Sequence, residues 1–168
     1  MPLTYEPIAT TTLGSDTSTI TFDSIPQTYT DLRVVLVTRS SSSSDGACMR
    51  FNSNSSSIYS GTYLAGNGNV AFSTRDTSFS KMLFAFNMPS SASGLLGLAT
   101  ADIFSYAGST NKTVLGTGSA DTNGGGFVSR NVCLARLTAA VTRIDLFYDS
   151  GFNFVTGTTA TLYGILKA

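Results

Sequence analysis

Residues 30–39, TDLRVVLVTR, decide how this chain is read. Leu32, Val34 and Leu36 fall on one side of an extended backbone, and Arg33, Val35, Val37 and Arg39 on the other. A period of two belongs to a β-strand rather than a helix. The first side is wholly apolar and predicts a face turned to a core. The second carries two valines between its arginines, so that side is expected to be covered as well.

The same alternation recurs outward from this segment. Ala47, Met49 and Phe51 alternate with Cys48, Arg50 and Asn52, and Ile103 marks a strand over 100–106. Ile144, Leu146 and Tyr148 share a face opposite Arg143, Asp145 and Phe147, and 159–166 places Ala160, Leu162, Gly164 and Leu166 on one side. Shorter candidates lie at 8–12, 17–22, 82–86, 113–118 and 127–135. The count is nine or ten strands, separated by stretches rich in Gly, Ser, Asn and Asp, and no long window carries a helical stripe. That pattern predicts an all-β chain, an antiparallel sandwich or barrel. With 168 residues it is read as a single domain over 1–168. The runs 40–44, 52–57 and 123–126 are expected to be surface loops.

Composition narrows the function. Charged residues make up 12% of the chain, ten basic against ten acidic, with no histidine; an average domain is about 25% charged. Hydroxyls take their place, 24 Ser and 24 Thr. A neutral surface has no footprint for phosphate backbones or for a basic membrane anchor, so neither nucleic acid nor membrane is an expected partner. Residues 1–6 lack the basic and apolar regions of a secretory signal, which predicts synthesis in the cytoplasm. Neutral, partly apolar faces meet copies of themselves without desolvating charge, which predicts a homo-oligomer of cyclic symmetry.

Without histidine, neither a Ser-His-Asp or Cys-His nucleophilic site nor a His-based metal site can be assembled. Glu6 is the only glutamate. Asp145 is expected to face solvent beside Arg143, and Asp149 to open a turn at Asp149-Ser150-Gly151, so the two are a poor acid pair for glycoside chemistry. Asp121-Thr-Asn-Gly-Gly-Gly126 lacks the later ligands of a calcium loop and reads as a tight hairpin. Gly116-Thr-Gly118 lacks the helix and Lys-Ser/Thr of a phosphate loop. Cys48 and Cys133 read as buried free thiols, with a single bridge left open. The expectation is no enzyme, with no catalytic residue, metal or cofactor. Tyr59 and Tyr63 sit in a hydroxyl-rich region of weak strand character, where tyrosines either stack on sugars and anchor protein contacts or pack back against the sandwich edge.

Four elements carry a resemblance: YEPIATTTLG at 5–14, ITF at 20–22 followed by IPQTYTDL at 25–32, RFN at 50–52, and TLYGI at 161–165. Together they resemble a set found in virion proteins of tailed phages, cyanophages in particular. The resemblance implies a β-sandwich of jelly-roll type. It also implies use as a homotrimeric cement (decoration) protein on the outer capsid surface, with the major capsid protein as partner, or as the distal domain of a tail fibre or tailspike. The chain shows no coiled-coil or β-helical shaft, which favours the cement role, while 74–93 and the serine run at 40–44 match nothing in the family pattern. The alternative is a domain that binds host-surface carbohydrate through Tyr59, Tyr63, Arg75 and Asp76.

Overall fold

A computed structural model describes residues 5–90, 92 and 94–166. The first four residues of the start read for a leader, and Ser91 and Ser93 in the unmatched 74–93 stretch, lie outside the described residues. The chain is all-β: β1 (Tyr5–Thr12), β2 (Thr19–Phe22), β3 (Asp31–Thr38), β4 (Asp45–Phe51), β5 (Tyr59–Gly66), β6 (Ala71–Phe79), β7 (Met82–Met88), β8 (Gly97–Phe104), β9 (Lys112–Asp121), β10 (Gly126–Ala135), β11 (Ile144–Tyr148) and β12 (Thr159–Ile165). They form an eight-stranded sheet, β1-β12-β3-β8-β9-β10-β5-β6, and a four-stranded sheet, β2-β11-β4-β7. All neighbours pair antiparallel. The sheets make a β-sandwich; jelly-roll connectivity is a finer statement than this strand order supports.

Among the described residues twelve strands replace the nine or ten expected, and the additions are β5 and β6. Each hides its period for a physical reason. β5 turns Tyr59, Gly61, Tyr63 and Ala65 inward, so two of its four core positions carry almost no side chain. β6 is exposed along both faces apart from a half-buried Asp76, so neither face requires apolar residues.

The decisive segment behaves as read on one side. Leu32, Val34 and Leu36 are fully buried in the cluster shared by both sheets. Its other side departs from expectation: no layer among the described residues covers Val35 and Val37, which stay partly exposed. Ser40, at the head of a run expected on the surface, is buried. Its N–H donates to the Pro89 carbonyl at 2.8 Å. The two cysteines are free and buried, and burial pushes the Cys133 thiol up to about 12. Burial likewise drives Cys48 well above its ordinary value, so neither is a ready nucleophile.

β7 crosses the inner face of the large sheet over β8, β9, β10 and β5. The crossing requires glycine. A methyl group on Gly116 would run into the backbone carbonyl of Phe84, and one on Gly118 would sit 2.9 Å from both Ala85 Cβ and Ser129 Oγ. The Gly-Thr-Gly element is thus a track for a neighbouring backbone. We expect Gly116→Ala to cost about 1–3 kcal/mol of stability, as overpacking does. Gly14→Ala, with nothing within 4 Å of the added carbon, should stay within about 0.5 kcal/mol of the parent. Urea unfolding of the two variants checks this; equal costs would contradict the close crossing.

Candidate functional site

Cross-strand register builds the outer face of the eight-stranded sheet row by row. One row runs Leu64, Arg130, Thr117, Thr100, Val35, Thr161. The next runs Thr62, Val132, Leu115, Asp102, Arg33, Tyr163, and on the other side lie Val128, Ser119, Leu98, Val37 and Thr159. Threonine and branched aliphatic residues suit a pleated surface, but here the aliphatics face outward. Leu64 and Val128 are 59% exposed, and Val132 and Leu98 45%. Leu64, Ala65, Ala71 and Val128 line a shallow, almost wholly apolar depression.

The charges on this face are already engaged. Arg33 grips Asp102 through two hydrogen bonds, 2.6 and 2.8 Å. Its guanidinium also lies 5.5 Å from the Tyr5 ring centre. Arg130 donates to Thr117 Oγ1 at 2.8 Å and Arg75 to Thr62 Oγ1 at 2.7 Å. A partner landing here would meet methyl and hydroxyl groups, with each of these charged side chains held against its own sheet.

The four residues read as saccharide contacts lie on the adjacent strands β5 and β6; the structure brings Tyr63 and Asp76 together on the inner side, buries Tyr59 and leaves Arg75 on the outer face. Tyr59 is fully buried; its hydroxyl donates to the Asn54 carbonyl at 2.9 Å and accepts from the Phe51 N–H at 3.2 Å. Tyr63, 2% exposed, packs edge-on against Phe86 with ring centres 5.2 Å apart. Neither ring presents a face on which a sugar could stack, which corrects that reading. Burial, reinforced by Cys133 and Asp76, also pushes the Tyr63 phenol far above its ordinary value and keeps it protonated. Arg75 lies on the outer face opposite Thr62, and Asp76 on the inner side opposite Gly61.

Charge gathers instead on the outer face of the small sheet, in a cleft lined by Arg50, Lys81, Arg143, Asp145, Phe147 and Asp149. Arg50 lies 4.6 Å from the Phe147 ring centre and donates to the Ser80 carbonyl at 2.9 Å. Lys81 pairs with Asp149 at 2.5 Å and Arg143 with Asp145 at 2.8 Å. Asp145 does not stand in solvent as expected: it is 7% exposed and accepts from Thr21 Oγ1 at 2.8 Å and Ser53 Oγ at 3.0 Å. Burial alone would raise its carboxyl, but the hydrogen bonds from Arg143, Thr21 and Ser53 outweigh burial and hold it below the usual range. A carboxylate held ionised is the reverse of what a general acid needs. Asp149 opens its turn as read, with the Gly151 N–H on the Tyr148 carbonyl at 3.2 Å.

A third feature lies at one end of the sandwich. Ser44, the β5–β6 turn, the end of β7 and the β9–β10 hairpin enclose a pocket of about 320 Å³ lined by Asn67, Asn69, Asn87, Thr122 and Phe127, among residues none of which ionises. Asn67 Oδ1 receives the N–H groups of Asn69 and Val70 at 3.0 and 2.8 Å, fixing the turn. Asp121 Oδ1 accepts the Asn123 N–H at 2.8 Å, so the glycine-rich segment is the tight hairpin read from sequence. The outward aliphatics of β10 left a signal in sequence, since Val128 and Val132 alternate with inward Ser129, Asn131 and Cys133. The pocket left none, because its lining comes from four separate loops.

No family model and no curated protein matches the sequence. Among solved structures, a protein of unknown function from Shewanella oneidensis MR-1 is similar at 7% identity and a TM-score of 0.23, over 98% of this chain and 77% of that one. Overlap so low carries no argument.

Because Asp145 titrates below its ordinary value when folded, its contribution is complete above the unfolded pKa of about 4 and is lost as pH falls through the lower folded value. Asp145→Asn should therefore flatten the acid limb of a stability-versus-pH curve. Asp145→Ala, which leaves Thr21, Ser53 and Arg143 without their acceptor, should cost about 1–3 kcal/mol at neutral pH. Urea titrations from pH 7 to pH 2 measure both, and an unchanged acid limb would remove Asp145 from that role.

Proposed function

We propose that this chain is a structural virion protein, a homotrimeric cement protein that binds the outer surface of a tailed-phage capsid and bridges major capsid subunits. One observation carries the reading: an uncovered eight-stranded face of threonines and aliphatics whose charges are engaged within the sheet. Eight strands at about 4.8 Å spacing and some 26 Å long span roughly 900 Å², close to the ~800 Å² per partner of a standard stable interface. Such a face is desolvated cheaply. The sequence resemblance supports the same reading. A trimer meeting several identical subunits gains effective concentration at its second and third contacts, so each contact needs only modest affinity. In this reading the protein is made in the host cytoplasm, ends on the virion surface, and uses neither catalysis nor a cofactor.

The test is decoration of capsid shells stripped of this protein, together with light scattering of the free protein. Wild type should decorate and, in dilute solution, scatter as three copies of 17.6 kDa. The double variant Leu64→Lys/Val132→Lys should lose decoration by at least about tenfold, while its folding stability stays within about 1 kcal/mol, as for exposed sites. Full decoration by the variant would sink the reading.

The alternative, recognition of host-surface carbohydrate by a distal tail domain, is favoured by the charge-free pocket at the loop end. Asparagine amides both donate and accept, as neutral saccharide hydroxyls require, and Phe127 supplies an apolar wall. In this reading Asn87→Ala and Phe127→Ala abolish binding on a glycan array, whereas Tyr59→Ala acts only through stability. An array with no hit for the parent protein would end it.

A further inference from the structure

The sandwich has four sheet edges, and three are blunted. β1 carries Pro7, which offers no donor, and its register shifts between Pro7 and Ala9. β2 is four residues long. β7 pairs with β4 through two register shifts. Bulges, proline and short length are the usual means of keeping an edge from recruiting another strand.

β6 differs. From Ala71 to Asp76 its register against β5 is unbroken, and the segment holds neither proline nor lysine. Its irregularities, the shift between Tyr59 and Gly61 and the positive φ of Ser78, fall beyond that run. The two mid-strand charges are drawn back toward β5: Arg75 onto Thr62 Oγ1 at 2.7 Å, and Asp76 toward the Tyr63 hydroxyl. Eight of its nine residues are exposed; on the inner side Phe72 meets Phe86 and Phe127, and among the described residues no layer stands over the outer side.

We propose that β6 pairs antiparallel with β6 of a second copy about a two-fold axis, joining two eight-stranded sheets edge to edge. An axis normal to the sheet keeps every side chain on its own face, so the symmetric register must centre on one residue. Centring on Arg75 or Asp76 would set like charges directly opposite each other, which is destabilising. Among the uncharged positions, Thr74 gives the longest overlap, 71–77. There the two Thr74 side chains face each other, Ser73 meets Arg75 of the second copy, and Phe72 meets its Asp76. The contact goes beyond the capsid reading and does not use the outer face, so it would link chains of different trimers.

Directly opposed residues on neighbouring strands have Cβ atoms about 4.5–5.5 Å apart, near disulfide reach. Thr74→Cys should therefore form a disulfide-linked dimer under copper-phenanthroline oxidation, at least tenfold faster than Ser78→Cys, whose side chains would lie about 26 Å apart in this register. The native cysteines are buried and contribute no background. In the Leu64→Lys/Val132→Lys background the Thr74→Cys dimer should persist, which separates this contact from the outer-face one. Amide exchange in 71–76 should also slow as protein concentration rises. Cross-linking of Thr74→Cys no faster than of Ser78→Cys, its loss in the double-lysine background, or concentration-independent exchange would each overturn the pairing.

Discussion

A four-stranded sheet lies on an eight-stranded one, and that mismatch governs the rest of the molecule. The hydrophobic effect demands that one face of each sheet be removed from water. Here the small sheet spans most of the large one because β7 runs across several of its strands, and it can approach closely because Gly116 and Gly118 offer no side chain beneath it. Leu32, Val34 and Leu36 are buried in the same cluster as Ile20, Phe22, Ile144 and Leu146 of the small sheet. Tyr148 joins that side by a hydrogen bond with Thr38 Oγ1 at 3.0 Å, and Thr38 in turn to Thr158 at 3.2 Å. What the small sheet cannot reach stays wet: β6 at one margin and the whole outer face of the large sheet.

Charge is distributed in keeping with this geometry. Arg33 with Asp102, Arg143 with Asp145, and Lys81 with Asp149 are internal pairs. The outer face of the small sheet concentrates ionised groups in one cleft, while the outer face of the large sheet shows chiefly hydroxyl and methyl groups. A face of that kind sheds water without stranding an ion, the property required of a surface that meets other protein. Low charge content is thereby expressed chiefly on the outer face of the large sheet.

Much of this was legible in sequence, and the failures have physical causes. Strands with one buried face announced themselves through alternation, β3 most clearly. β5 did not, because glycine fills an inward position, and β6 did not, because burial imposes nothing on it. Tyr59 and Tyr63 were open to two readings until their neighbours were known. A tyrosine in hydroxyl-rich sequence looks like a surface anchor, and only the packing of Phe86 on Tyr63 and the hydrogen bond from Tyr59 to the Asn54 carbonyl show these two to be core residues. Asp145 was placed on the correct strand face, yet Thr21 and Ser53, 124 and 92 residues away in sequence, bury it there.

By itself, then, the sequence determined the class of fold, the strand faces that must be buried and the balance of charge, while the choice between two free thiols and a bridge was left to the structure. These follow from side-chain period and composition, which are local or additive properties. Tertiary structure alone decided that Val35 and Val37 remain uncovered, that Gly116 and Gly118 serve a crossing backbone, that four loops enclose a charge-free pocket, and that β6 is an open edge. Each of those depends on which distant segment arrives opposite a residue, and pairing across long loops is not encoded in any single stretch of chain.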